Sequence, residues 1–187
     1  YADVLAQLGF PITLNAHHIY GDQPADISDL ADITGIKGTD TWIGIAPFAA
    51  HEGKIYPLPL MEEVICRLAG IPGLKIFLFG SGAKEKQWCD SVSQPNVVSM
   101  VGKTHLSKEL RLMTNLSVMV TMDSANMHLS ALAGTPTVSI WGATHPMAGF
   151  AGMQASGSRI VQLDMDCRPC SIFGNKPCAK ENYECLY

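Results

Sequence analysis

The stretch Leu74-Lys75-Ile76-Phe77-Leu78-Phe79-Gly80-Ser81-Gly82, followed by Ala83-Lys84-Glu85-Lys86-Gln87-Trp88-Cys89-Asp90-Ser91-Val92, decides the fold. Leu74–Phe79 is apolar apart from Lys75, without the alternation of a half-solvated strand, so it reads as a strand buried on both faces. Gly80 and Gly82 break it, and Ala83–Val92 reads as a helix. Strand, glycine loop and helix in that order form the repeating unit of a parallel sheet.

The unit recurs on either side. Trp42-Ile43-Gly44-Ile45-Ala46 is a short apolar run closed by Pro47. Leu58–Ala69 carries Leu60, Met61, Val64, Ile65 and Leu68 on one helical stripe and stops at Gly70 and Pro72. Val97–Val101 reads as a third strand, Lys108–Asn115 as a helix behind Ser107, and Ser117–Met122 as a fourth strand. Ser124–Ala133 then reads as a helix ended by Gly134 and Pro136, with Thr137–Trp141 and Ile160–Leu163 as the last strands. The prediction is an α/β fold: a doubly wound parallel sheet of Rossmann-like type, with helices on both faces. Residues 1–40 differ. A helix over Tyr1–Leu8 closes at Gly9, and Pro11, Gly21, Pro24, Gly35 and Gly38 with scattered Asp follow, which is loop chemistry. These residues are read as a connection over the surface of a domain formed by residues 41–187.

Composition narrows the function. The 187 residues are 47 % hydrophobic, enough for one buried core. Thirteen basic against seventeen acidic side chains give a net charge of −4, which argues against a nucleic-acid surface. No apolar run approaches the ~20 residues that span a bilayer. No secretory signal is visible, so a cytoplasmic setting is expected. The chain opens at Tyr1 rather than Met, and a piece of a longer protein is expected.

In such sheets ligands sit at the carboxyl ends of the strands. Asp123-Ser124-Ala125-Asn126-Met127-His128 lies at one such strand-to-helix junction. Its free backbone N–H groups suit a phosphate, although Asp123 or Ser124 also suits a plain helix cap. His128 follows one turn after Ser124, either facing the cleft or buried. Gly80-Ser81-Gly82 begins like a dinucleotide fingerprint, but Glu85 stands where its third glycine belongs. Glu85 therefore fits either ribose hydroxyls or the helix dipole. Lys54, after the first strand, fits either a diphosphate or open solvent. His51-Glu52 fails as a zinc-protease motif because Ile55 replaces its second histidine, and His17 and His18 read as solvated loop residues. Walker A and nucleophile-elbow patterns are absent.

Cys66 and Cys89 read as isolated, buried thiols in helices. Cys167, Cys170, Cys178 and Cys185 crowd the tail in a CxxC–x7–C–x6–C pattern. Structural zinc, paired disulfides and free thiols are all open for these four.

In combination these segments resemble the carboxyl-terminal half of glycosyltransferase family 9, the heptosyltransferases of lipopolysaccharide core synthesis. Ile45-Ala46-Pro47 through Lys54-Ile55-Tyr56-Pro57 resembles the family's strand, lysine and "WP" segment. Val101-Gly102-Lys103-Thr104-His105-Leu106 resembles "GkTsL", Asp123–Leu129 resembles "D[ST]GxxHL", and Gly142-Ala143-Thr144-His145-Pro146 resembles "GpTdP". Cys167-Arg168-Pro169-Cys170 resembles the "CxPC" tail of many members. The resemblance implies the GT-B fold, of which this chain is the nucleotide-sugar half. It implies an inverting glycosyltransferase with an ADP-heptose-like donor and no cofactor or metal. The lipopolysaccharide acceptor and the catalytic base would belong to a domain outside this chain, leaving the chain alone inactive. The full-length protein would associate peripherally with membrane.

Carried over by residue, Lys54 would contact the diphosphate, Glu85 the ribose, and Thr104 the adenine. Ser124 and Ala125 would cradle phosphate through their N–H groups, Asp123 would hold sugar hydroxyls, and His128 would line the pocket. Ala125 and Phe48 depart from glycines usual in the family, which leaves the donor's identity open. A UDP-sugar enzyme or sugar-nucleotide epimerase, and a non-enzymatic α/β module with a zinc-binding tail, are the alternatives.

Overall fold

The computed structural model describes residues 2–13, 18–152 and 154–187; His17 lies outside them. Six parallel strands form one sheet in the order β3-β2-β1-β4-β5-β6. They are β1 Thr41–Ala46, β2 Leu74–Leu78, β3 Val97–Ser99, β4 Val118–Met122, β5 Thr137–Trp141 and β6 Arg159–Gln162. The helices are α1 Ala2–Gln7, α2 Ala31–Thr34, α3 Leu58–Ala69, α4 Gly82–Ser91, α5 Leu106–Met113 and α6 Ala125–Leu132. The expected doubly wound α/β sheet is present, each element ending within a few residues of its expected limit.

The pleat divides the core. On one face Ile43 and Ile45 of β1 and Ile76 and Leu78 of β2 pack with Met61 and Ile65 of α3 and Cys89 of α4. On the other, Trp42, Phe77 and Phe79 pack with Leu110, Leu112 and Met113 of α5 and with Met119. Ile43 is in register with both Ile76 and Val118, so β1 lies at the middle of the sheet. Neighbouring strands on its two sides are reached by crossovers over opposite faces. That places the point where the strand order reverses, and hence the natural crevice, between β1 and β4.

The leading segment is more structured than its loop composition predicts. It forms a 3-10 turn over Ser28–Leu30 and the short α2. Leu30 is fully buried in the α5 face of the core. Asp29 bonds Lys108 Nζ at 3.0 Å and Arg111 Nη2 at 2.8 Å. Ala25 N–H donates to Thr114 Oγ1 at 2.8 Å. His18, read as solvated, is half-buried instead, because its ring lies against Gly134, where a Cβ would come within 2.7 Å of it. No helix among the described residues is long and apolar enough to cross a membrane.

Candidate functional site

β1 ends at Ala46, and the loop after it winds into a 3-10 turn over Glu52–Lys54. Two contacts fix this loop. Ala143 N–H donates to Gly53 O at 2.7 Å, and Tyr56 N–H to Met122 Sδ at 3.2 Å. Lys54 is thereby turned toward the end of β4. Its Nζ stands 2.8 Å from Asp123 Oδ2, with the two side chains only 14 % and 4 % exposed. Thr144, fully buried after β5, donates its hydroxyl to the same Oδ2 at 2.7 Å. Asp123 therefore has one oxygen doubly satisfied, and no bond to its Oδ1 is found among the described residues.

Neither Asp123 nor Ser124 caps α6. Asp123 is held by Lys54 and Thr144, and Ser124 Oγ lies 3.3 Å from Thr121 Oγ1 without reaching the helix. The capping alternative is thus not realised. Ser124, Ala125 and Asn126, at the start of α6 without a side-chain cap, border the cleft. Glu85 uses Oε2 to accept the Ser81 N–H at 2.6 Å, closing its own glycine loop. A Cβ on Gly80 would stand 2.7 Å from that oxygen and 3.0 Å from the Phe48 ring, so a larger residue there would displace the Glu85 carboxylate or the Phe48 ring. Phe48 in turn meets Trp88 edge-on at 5.5 Å.

Lys54, Glu85, Asp123, Ser124, Ala125 and His128 border one cleft of about 600 Å³, together with Phe48, Leu106, Glu109 and Phe150. His128 is exposed at its rim beside Gly152. Thr104 does not border the cleft; its hydroxyl donates to Glu109 Oε1 at 3.3 Å. Glu109 escaped the sequence reading because an acidic side chain in a first helical turn is ordinary dipole chemistry. Burial pushes its carboxyl above the usual value, against the opposing pull of the Thr104 hydrogen bond and His105.

The tail runs beside the same cleft. The Arg168 guanidinium donates to Thr144 O at 2.8 Å and Trp141 O at 3.2 Å, and also bonds Gly142 O and Leu163 O. All six cysteines are free. Cys66 is exposed, not buried as expected, because it falls outside the buried stripe of Met61 and Ile65 on α3. Burial pushes the Cys89 thiol up to about 12. Among the described residues, no three His, Cys, Asp or Glu side chains stand close enough to hold a metal ion.

With this geometry established, known proteins supply a relationship. The model of glycosyltransferase family 9 (heptosyltransferase) matches residues 8–183. The chain belongs to glycosyltransferase family 9. Lipooligosaccharide heptosyltransferase 2 of Campylobacter jejuni is 28 % identical over 117 residues, 59 % of this chain and 35 % of that protein. Its Haemophilus influenzae counterpart is 31 % identical over 124 residues, 60 % of this chain and 34 % of that protein. The family 9 glycosyltransferase structure from Veillonella parvula superposes with a TM-score of 0.69 at 22 % identity, covering 85 % of this chain and 46 % of that one. E. coli ADP-heptose lipopolysaccharide heptosyltransferase II gives 0.64 at 23 % identity, covering 74 % and 43 %. E. coli heptosyltransferase WaaC with ADP gives 0.59 at 20 %, covering 67 % and 38 %. These structures share the fold. The chain spans about a third of the length of the curated family 9 relatives it matches.

Proposed function

We propose that residues 41–187 are the donor-binding domain of an inverting heptosyltransferase, joined by residues 1–40 to an acceptor-binding domain. The observation that carries this reading is the meeting of Lys54 and Asp123 at the mouth of the crevice, beside the open N-terminus of α6. A nucleoside diphosphate sugar is long and anionic at its centre. Laid along the cleft, its ribose comes to Glu85, its diphosphate to Lys54 and the Ser124–Ala125 backbone, and its sugar to Asp123 and His128. The Thr104–Glu109 pair stands at the base end. ADP-heptose is the preferred donor, in keeping with relatives solved with ADP and with an ADP-heptose analogue.

In the transfer itself an acceptor hydroxyl displaces the diphosphate from the sugar's anomeric carbon. Negative charge grows on the departing phosphate. The Lys54 ammonium and the α6 dipole are preorganised to stabilise that charge without reorganising at the moment of reaction. The base that takes the acceptor's proton belongs to the other domain, so this chain binds donor and does not transfer it. The acceptor is lipopolysaccharide core, met on the cytoplasmic face with the full-length protein peripheral to the membrane.

Isothermal titration of the chain with ADP, then UDP, tests the reading. Selective ADP binding that Lys54→Ala weakens at least several-fold is expected. Preference for UDP would favour a uridine-dependent enzyme on the same fold, and equal affinity in the Lys54 variant would remove the role given to that residue.

A further inference from the structure

The tail after β6 contains four of the six cysteines, and nothing in the donor reading requires it. Yet it makes specific contacts with the residues that hold Lys54. Arg168 offers a rigid fork of N–H donors, normally matched to a carboxylate or phosphate. Here it is turned onto main-chain carbonyls of Trp141, Gly142 and Thr144, the segment that leads into the cleft, and it also bonds Leu163 O and, at 3.1 Å, Gln162 Oε1. Cys170 N–H donates to Ala143 O at 2.8 Å, between those carbonyls. The segment carrying Thr144 is thus held along its whole length by the tail.

Farther on, the tail reaches Lys54 itself. Gly174 adopts φ +76°, and a Cβ there would lie 2.7 Å from Lys54 Cδ, 2.8 Å from Lys54 Cγ and 3.2 Å from Thr144 Cγ2. The bare glycine backbone is therefore a wall against the lysine stem. The contacts close a ring: Arg168 holds the Thr144 backbone, the Thr144 hydroxyl holds Asp123, Asp123 holds the Lys54 ammonium, and Gly174 backs the Lys54 methylenes.

We infer that the C-terminal tail is part of the donor site, with Arg168 and Gly174 acting as positioning residues that fix the Lys54 ammonium on Asp123. The importance of the ring for donor binding rests on the proposed function, whereas the positioning itself does not. A long lysine side chain loses much rotamer freedom when it is fixed. A stem already confined by Gly174 meets a diphosphate with that cost already met by folding. The positive φ alone already favours glycine at 174, so the positioning role rests on the contact of its backbone with the Lys54 stem.

The test reads Lys54 directly. Lysines of the full chain are dimethylated with ¹³C-formaldehyde and a borane hydride donor, and the Lys54 signal is assigned by its loss in Lys54→Arg. Asp123→Asn gives the signal of the unpaired ammonium. Gly174→Asn is the informative variant, because asparagine tolerates positive φ better than other side chains and so adds bulk with less strain. Arg168→Lys removes the fork but keeps the charge. Both are expected to move the Lys54 signal toward its Asp123→Asn position, while Cys178→Ser, a tail substitution outside the ring, leaves it in place. A signal unchanged in either variant would overturn the inference, as would equal displacement by Cys178→Ser.

Thermal melts run alongside. Should Gly174→Asn fail to fold, Arg168→Lys and Gly174→Ala carry the same readout. ADP titration separates the two claims. A wild-type chain that ignores ADP counts against the donor reading, while the Lys54 signal still decides the positioning. A chain that binds ADP is expected to lose affinity at least several-fold in Gly174→Asn.

Discussion

Lys54 Nζ and Thr144 Oγ1 converge on the same atom, Asp123 Oδ2, at 2.8 and 2.7 Å. The three side chains come from the loops after β1, β4 and β5, so the pair between Lys54 and Asp123 joins the loops on the two sides of the switch point. Removing one partner of so buried a pair leaves the other charge poorly compensated, which costs more than the pair is worth when intact.

Lys54→Met should therefore destabilise the chain by about 2 kcal/mol, because Asp123 keeps only Thr144 as a partner. Asp123→Asn should also destabilise, and the double variant should cost less than the sum by roughly 1 kcal/mol, the signature of direct coupling. Urea unfolding of the wild type, both single variants and the double variant measures this. Strict additivity would mean that the two groups do not interact in solution.

Glu109 gives a pH-dependence with a definite sign. Its carboxyl is held above the ordinary value by burial, so the folded chain binds this proton more tightly than the unfolded chain. Such a group contributes most to stability at acid pH, and its contribution declines as pH rises from the unfolded value through the folded one. Glu109→Gln keeps an oxygen for Thr104 and abolishes the titration. The variant should melt close to wild type near pH 4 and above it near pH 7. A difference in melting temperature that does not change with pH would show that burial does not perturb this group.

The sheet was legible because its signals are local and redundant. Leu74–Phe79 is apolar on both pleat faces, Gly80 and Pro47 punctuate, and the Leu60–Leu68 stripe has helical period. Lys54, Asp123 and Glu85 were legible as candidates because parallel sheets confine ligands to strand ends. What they touch was not legible. The Glu85 bond to Ser81 and the shared Asp123 oxygen depend on loop conformations that no periodicity encodes. Leu30 reads as one apolar residue among loop formers, and its burial depends on Asp29 meeting Lys108 and Arg111 on a distant helix. Cys66 was misjudged because a thiol tolerates either side of the helix. The tail's contact with Lys54 has no sequence signal beyond a glycine, and Gly174 looks like any loop glycine until the lysine stem is seen against it.

The cysteines should separate cleanly by reactivity. Thiolate is the reactive form, and Cys89 combines full burial with a thiol pushed up to about 12. Cys66 and Cys167 are exposed. Brief alkylation with iodoacetamide near pH 8, followed by peptide mass spectrometry, should modify Cys66 and Cys167 while Cys89 stays unmodified until the chain is unfolded in urea. Early modification of Cys89 would mean that the α4 face opens under native conditions.

Gly142 offers the sharpest test of how the two loops are locked. A Cβ there would stand 2.5 Å from the Gly53 carbonyl oxygen and 2.6 Å from Leu186 Cδ2. A carbonyl cannot swing aside as a flexible side chain can, so the whole Glu52–Lys54 turn must shift. Gly142→Ala should cost about 1–3 kcal/mol, the usual range for overpacking a filled site. Gly44→Ala is the matched control: its Cβ would meet Met119 Sδ and Cε at 2.7 Å, the adaptable end of a methionine, but also Leu116 Cδ1 at 2.8 Å. Both variants should be less stable than wild type. Only Gly142→Ala should also weaken ADP binding, because only that shift is transmitted through the Gly53 carbonyl to Lys54. Equal loss of ADP affinity in the two variants would show that the cleft responds to stability in general rather than to the position of this loop.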